Sequence, residues 1–281
     1  MTNIIEVFAG GMILIFILVI THELGHLLAA RVCGVGVESF SIGFGPGFKM
    51  FTLRGIPFYL CLIPLGGGVA IKSITMPGCE SRGKYIEDVS LWRRVFIFFA
   101  GALGNLFLAI VIQTAIYWFA PHEVKFDIFL IKFTFVPLQG AWYFAPLYAV
   151  KTVGLLFAAL FLSILTRIWL LVLPIVKMTP IIGGGVIGMM GLGAGAQSGF
   201  WSFCGIVYFV SIVVAAFQLL PCWPLDGGHI VTAFVKRIFR EGRASRILCA
   251  AVKWAGVAML VIIVINMAMS DLYGIYRYFV K

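Results

Sequence analysis

The first apolar run, Ile4–Ile20, carries a single charge, Glu6, and leads straight into Thr21-His22-Glu23-Leu24-Gly25-His26. At 1.5 Å per residue the run covers about 25 Å, most of the hydrocarbon core of a bilayer, before His22 is reached. Ionisable residues at that depth are costly to bury and are functional by default. The pattern is H-E-x-x-H, and on a helix His22 and His26 lie one turn apart on the same face. Two imidazoles placed this way can bind one Zn2+, and Glu23 beside them can act as a general base toward water. The competing reading is of core histidines satisfied by hydrogen bonds.

Composition agrees with a membrane setting. Of 281 residues, 62% are hydrophobic and 11% charged, and the mean hydropathy is +1.08. Soluble domains carry about 25% charged residues, so the chain reads as an α-helical polytopic membrane protein whose partner is the lipid bilayer. The net charge of +10 fits Lys and Arg collected in cytoplasmic loops, and no separate basic domain is present to bind nucleic acid. The six cysteines are scattered, without a C-x-x-C pair, and form neither a disulfide framework nor a zinc knuckle. The N-terminus lacks a basic region and a small-residue cleavage site, so it reads as a retained span.

The chain is expected to form one domain over 1–281, with a first span at 4–33. Lys and Arg are absent before Arg31 and frequent from there to Arg94, which puts the N-terminus outside and 34–93 in the cytoplasm. That segment is Gly-rich and strand-like. Phe58–Ile63 and Val69–Ile71 flank Pro64-Leu65-Gly66-Gly67-Gly68, a turn signal, so a small membrane-associated β-hairpin is expected there. A hairpin edge could hold an unwound peptide by strand addition. Residues 94–119 form the second span, in which small residues of Ala100-Gly101-Ala102-Leu103-Gly104-Asn105 permit close helix approach. Asn105 is either glue between helices or a ligand for substrate backbone.

Residues 120–200 are expected to be external and membrane-associated. Within them 151–177 is apolar enough to span, yet carries Arg167 and is bracketed by Lys151 and Lys177. If it spanned alone, the basic cluster from Lys236 to Arg246 would fall outside, against the charge rule. Four spans are therefore favoured, with six as the alternative. Residues 181–200 are Gly-rich and read as irregular. The next span, 201–229, ends in Pro221-Cys222-Trp223-Pro224-Leu225-Asp226-Gly227-Gly228-His229. Its prolines break the helix, and unwound backbone at membrane depth must line a cavity or be buried in protein. Asp226 arrives on the side of His26, and a catalytic zinc needs a third protein ligand. His229 is a rival, since imidazole suits zinc at least as well. A last span is expected at 249–270, followed by Tyr273, Tyr276 and Tyr278 as an interfacial belt.

His22-Glu23-Leu24-Gly25-His26 and Leu225-Asp226-Gly227-Gly228-His229 resemble the paired motifs of the site-2 proteases, which are intramembrane zinc metalloproteases. Phe40–Pro46, Pro64-Leu65-Gly66-Gly67 and the Ala-Gly-x-x-x-Asn of the second span resemble the RseP-like bacterial branch. The resemblance implies Zn2+ held by His22, His26 and Asp226, with Glu23 as the catalytic base. It implies substrate binding by Asn105, Gly66, Gly67 and Gln218, the last standing where the family usually has Asn. It further implies residence in a bacterial inner membrane with the site toward the cytoplasm, and a single-pass protein or signal peptide as substrate. RseP-like members carry PDZ domains between the second and third spans, and 120–150 has no room for one. A silent membrane protein that sequesters a helical partner is the alternative function, and an intact Glu23 counts against it. A metal transporter would need a series of intramembrane carboxylates or histidines, and only one cluster is visible.

Overall fold

The computed structural model describes residues 4–74, 81–121, 123–128, 131–136, 142–171, 199–239 and 242–279. Among the described residues six helices carry most of the chain: α1 (Ile4–Val32), α2 (Leu91–Phe119), α3 (Ala145–Leu171), α4 (Phe200–Gln218), α5 (Asp226–Phe239) and α6 (Arg243–Phe279). Four strands complete it: β1 (Val37–Leu53), β2 (Ile56–Ile71), β3 (Val124–Ile128) and β4 (Ile131–Phe135). Among the described residues, five helical stretches are long and apolar enough to cross a membrane: Ala9–Val32, Leu91–Phe119, Ala145–Thr166, Phe200–Gln218 and Arg243–Ile262. Four of them fall on the expected spans. The fifth, Ala145–Thr166, falls on the stretch that the charge pattern left between four spans and six. The Gly-rich 181–198 lies outside the described residues, and of the tyrosines after the last span only the helical backbone is described.

The chain divides into two compact units. One comprises Met1–Leu14, Leu106–Phe217 and Ala258–Lys281. In it β3 and β4 form a short antiparallel hairpin that the sequence reading did not anticipate. Phe135 packs edge-on against Tyr117 and Tyr208. α3 is tied to α2 by polar contacts. Thr152 Oγ1 donates to Gln113 Oε1 at 2.7 Å, and Gln113 Nε2 donates to Tyr117 Oη at 2.9 Å. A buried amide satisfied by hydroxyls in this way fixes which helix faces meet.

The other unit comprises Ile15–Asn105 and Gln218–Val257. Its apolar core joins the end of α1 (Leu27, Ala30, Cys33), the base of the hairpin (Val37, Phe40, Phe58) and the start of α2 (Ile97, Ala100). Here the structure corrects the expected hairpin. The turn is at Arg54-Gly55, both in the left-handed region (φ +51° and +83°), and Pro64–Gly68 lies within β2. Two consecutive positive-φ residues give a hairpin turn whose twist matches the strands, so Arg-Gly served as the turn and Pro-Gly did not.

The Gly-rich segments bend the ribbon. Phe40, Ser41 and Ile42 pair on one side with Val69, Gly68 and Gly67, and on the other with Phe58, Tyr59 and Leu60. Tyr59 in turn also faces Lys49. β1 changes direction around Gly43 and Gly45 (φ +88° and +83°), and β2 around Gly66 (φ +115°). The hairpin thereby folds back on itself and leaves 67–71 as an outer segment.

The two turn glycines differ in what surrounds them. A Cβ on Gly55 would meet nothing within 4 Å, whereas one on Gly43 would lie 2.7 Å from the Ile63 carbonyl oxygen. Gly55→Asn should therefore cost well under about 1 kcal/mol, since Asn tolerates the left-handed region. Gly43→Ala should cost more than that penalty alone, with the difference visible in Tm of the purified protein in detergent.

Candidate metal centre

α1 places His22 and His26 one turn apart, both 7% exposed, with their rings edge to face at 4.7 Å between centroids. They can sit this deep because α1 and α2 meet backbone to backbone. A Cβ added to Gly25 would run into the Ala100 carbonyl, and one on Gly104 would lie 2.6 Å from the Thr21 carbonyl oxygen. A Cβ on Gly101 would strike His26 Nε2 and sit 2.6 Å from His22 Cε1. Small residues are the usual means of bringing membrane helices together. At this spot they also leave room for two imidazoles.

Asp226 is the first residue of α5, which begins directly after the break at 219–225. Gly227 and Gly228 allow that start, since a Cβ on either would run into the backbone of the preceding loop, Leu219–Leu220 and Cys222–Trp223 respectively. The LDGGH glycines are thus explained by a helix whose first turn is laid on its own entry loop.

His22 Nε2, His26 Nε2 and Asp226 Oδ2 converge. The two nitrogens are 3.1 Å apart, and the carboxylate oxygen is 3.2 Å from the first and 3.3 Å from the second. His26 Nδ1 lies 2.7 Å from the Ile97 carbonyl oxygen, so that nitrogen donates, and in the neutral ring Nε2 presents a lone pair. Asp226 Oδ2 is buried and receives no hydrogen bond. With the ring neutral, the contact between His26 Nε2 and Asp226 Oδ2 brings two lone pairs together, which is repulsive unless a proton or a metal cation lies between them. Tetrahedral zinc with ligands at about 2.0–2.1 Å separates its donor atoms by roughly 3.3 Å. Donor types, spacing and the orphaned oxygen all fit such an ion. A carbonyl accepting from the other ring nitrogen is the usual support for a ligating imidazole.

The three side chains border a cavity of about 840 Å³, lined also by Glu23, Gly67–Ile71, Gln218 and His229. Glu23 and Gln218 thus share this space with the triad, as does Gly67, where a Cβ would lie 3.6 Å from Glu23 Cγ. Asn105 and Gly66 do not line it. Asn105 is fully buried, and neither of its amide atoms has a partner among the described residues. Gly66 packs on the Phe44 ring. His229, the rival ligand, lies flat against Phe98 (5.0 Å, 16°). It is not part of the converging set. Sequence reasoning missed the hydrogen bond to Ile97, because a backbone acceptor leaves no residue signature.

The family model described as Peptidase family M50 matches residues 10–263. A provisionally named zinc metalloprotease of Chlamydia trachomatis is 38% identical over 39% of this chain and 19% of its own length. The Regulator of sigma E protease of Haemophilus influenzae is 38% identical over 40% of this chain and 26% of its own. A provisionally named zinc metalloprotease of Helicobacter pylori strain J99 is 38% identical over 37% of this chain and 31% of its own. The alignments thus span less than a third of each of these relatives.

If Gly101 is there to admit His26, Gly101→Ala should lower divalent-metal affinity at least tenfold, read by metal content after dialysis against a graded chelator. Gly154→Ala is the control, because a Cβ there would meet nothing within 4 Å, and it should leave metal content unchanged.

Proposed function

The chain belongs to peptidase family M50, and from that premise we propose that it is an intramembrane zinc metalloprotease that hydrolyses a peptide bond in or near the membrane segment of another protein. The observation that carries the reading is the convergence of His22, His26 and Asp226 next to Glu23 in one cavity. His22, His26 and Asp226 would hold Zn2+. When bound there, the ion supplies Lewis-acid chemistry for the scissile carbonyl and makes water acidic enough to give up a proton near neutral pH.

The protein groups do the rest. Glu23 takes the proton of the attacking water and later delivers it to the leaving amine nitrogen. Ile97, through its carbonyl, holds His26 in the tautomer that ligation needs. The outer segment Gly67–Ile71 borders the same cavity as Glu23, so an opened substrate helix can pair with it as an added strand. Gln218 lines that cavity and offers an amide to the strand. The substrate is a single-pass membrane protein or a signal peptide. The enzyme lies in a bacterial inner membrane, with its N-terminus outside and the site toward the cytoplasm.

Zinc per chain in the purified protein tests the ligand set. Wild type and His229→Ala should hold close to one zinc, and His22→Ala and Asp226→Ala should hold almost none. Glu23→Gln should retain zinc while losing hydrolysis of a single-span test substrate by a factor of about 10² or more. Full retention of zinc by Asp226→Ala would sink the assignment.

A further inference from the structure

The cavity that holds the triad does not end at the metal. Asp226, His229, Thr232, Ala233 and Lys236 all line it, and their spacing marks one continuous face of α5. Ten residues of helix carry that face about 15 Å from Asp226 to Lys236. Lys253 of α6 lines the cavity as well. An adjoining cavity of about 510 Å³ is walled by Lys236, Arg246 and Lys253. A third, of about 650 Å³, is walled by Lys236, Arg237, Arg94 and Glu87. Lys236 borders all three, so the spaces meet at a basic end.

That end holds more positive charge than the described residues neutralise. Glu87, the only carboxylate among the described residues there, accepts from Ser73 Oγ at 2.6 Å and from the Ile74 amide at 3.2 Å. Arg94 is turned to the carbonyls of Glu87 and Val89. Lys253 lies over the Trp223 ring at 5.8 Å. Among the described residues, Lys236, Arg246 and Lys253 form no ion pair. The dipole of α5 accounts for a cation at its last turn, but not for cations of α6 facing the same space.

We propose that Lys236 and Lys253 are specificity determinants that select substrates carrying carboxylate side chains four to five residues from the scissile bond. The inference rests on the protease reading. An extended chain rises about 3.3 Å per residue, so the 15 Å along α5 corresponds to that number of residues. The segment Gly67–Ile71 lines the same cavity and would keep the substrate extended along the way. Acidic groups are thereby drawn to the end away from Glu23 and Asp226, whose charges would repel them.

The test uses the full chain in bicelles and synthetic single-span peptides with Asp-Asp, Asn-Asn or Lys-Lys placed four and five residues to either side of the cleaved bond. Two readouts are taken: Glu23-dependent kcat/KM, and Kd for the Glu23→Gln protein. With Asp-Asp on one side, kcat/KM should exceed that of Asn-Asn about fivefold, and the advantage should shrink at high salt. Lys236→Glu combined with Lys253→Glu should reverse the order so that Lys-Lys is preferred, while the Lys→Arg pair keeps the original order. Zinc content shows that each variant is folded. Equal rates and equal Kd for the three peptides, or an unchanged ranking after charge reversal, would overturn the inference. A lysine effect that appears only with phosphatidylglycerol and ignores peptide charge would assign the basic end to lipid and also overturn it. If no peptide is cleaved yet the Kd ranking reverses with charge, the selection stands and the hydrolytic reading falls.

Discussion

The chemistry of this chain depends on how closely α1 and α2 approach. Lipid tails are as apolar as leucine, so membrane helices associate through packing and polar contacts rather than through burial from water. Gly25, Gly101 and Gly104 supply that packing by removing side chains at the crossing. The same closeness brings the Ile97 carbonyl within 2.7 Å of His26 Nδ1, so the helix interface itself orients an imidazole of the proposed ligand set. Metal sites often assign that task to a carboxylate. Here a backbone atom serves, and its position follows directly from the distance between the helices.

Bringing three lone pairs within 3.3 Å of one another in a buried place is unfavourable for the bare protein. Desolvating an unpaired polar group costs about 1–3 kcal/mol, and mutual repulsion adds to it. A cation that binds only the folded arrangement recovers this, contributing about 4 kcal/mol at a thousandfold excess over its Kd. Since α1 and α5 each supply part of the set, a metal held there would couple to the packing of the unit that contains them. The glycines after Asp226 belong to the same economy of space, because the first turn of α5 can rest on Leu219–Trp223 only without side chains.

Much of this was legible in the chain itself. The apolar runs located α1, α2, α4 and the start of α6, and H-E-x-x-H with L-D-G-G-H picked out the residues that converge. What escaped has physical reasons. Pro64–Gly68 has turn composition, but glycines also serve strands that must bend, and residue type does not separate the two uses. Arg54 is an uncommon occupant of the left-handed region, so the real turn gave little signal. The β3–β4 hairpin is five residues a side, and Lys125-Phe126-Asp127 reads equally well as a polar loop. Asn105 and Gly66 were grouped with the cavity by motif. Burial places Asn105 away from the cavity, and ring packing places Gly66 against Phe44, because a motif preserves order along the chain and not which wall a residue faces.

A long flat hairpin would present both edges along its whole length, and unpaired edges invite association with other chains. Folding β1 and β2 back at Gly43, Gly45 and Gly66 pairs Phe40–Ile42 on both sides and turns Gly67–Ile71 outward beside Glu23. Lining the same cavity, α5 carries Asp226 and, about 15 Å further along its face, Lys236. A strand edge supplies directional hydrogen bonds at every second residue, and a helix face supplies charge at fixed intervals. Under the proposed function, a substrate strand paired to the first would be held in register and oriented by the charge of the second.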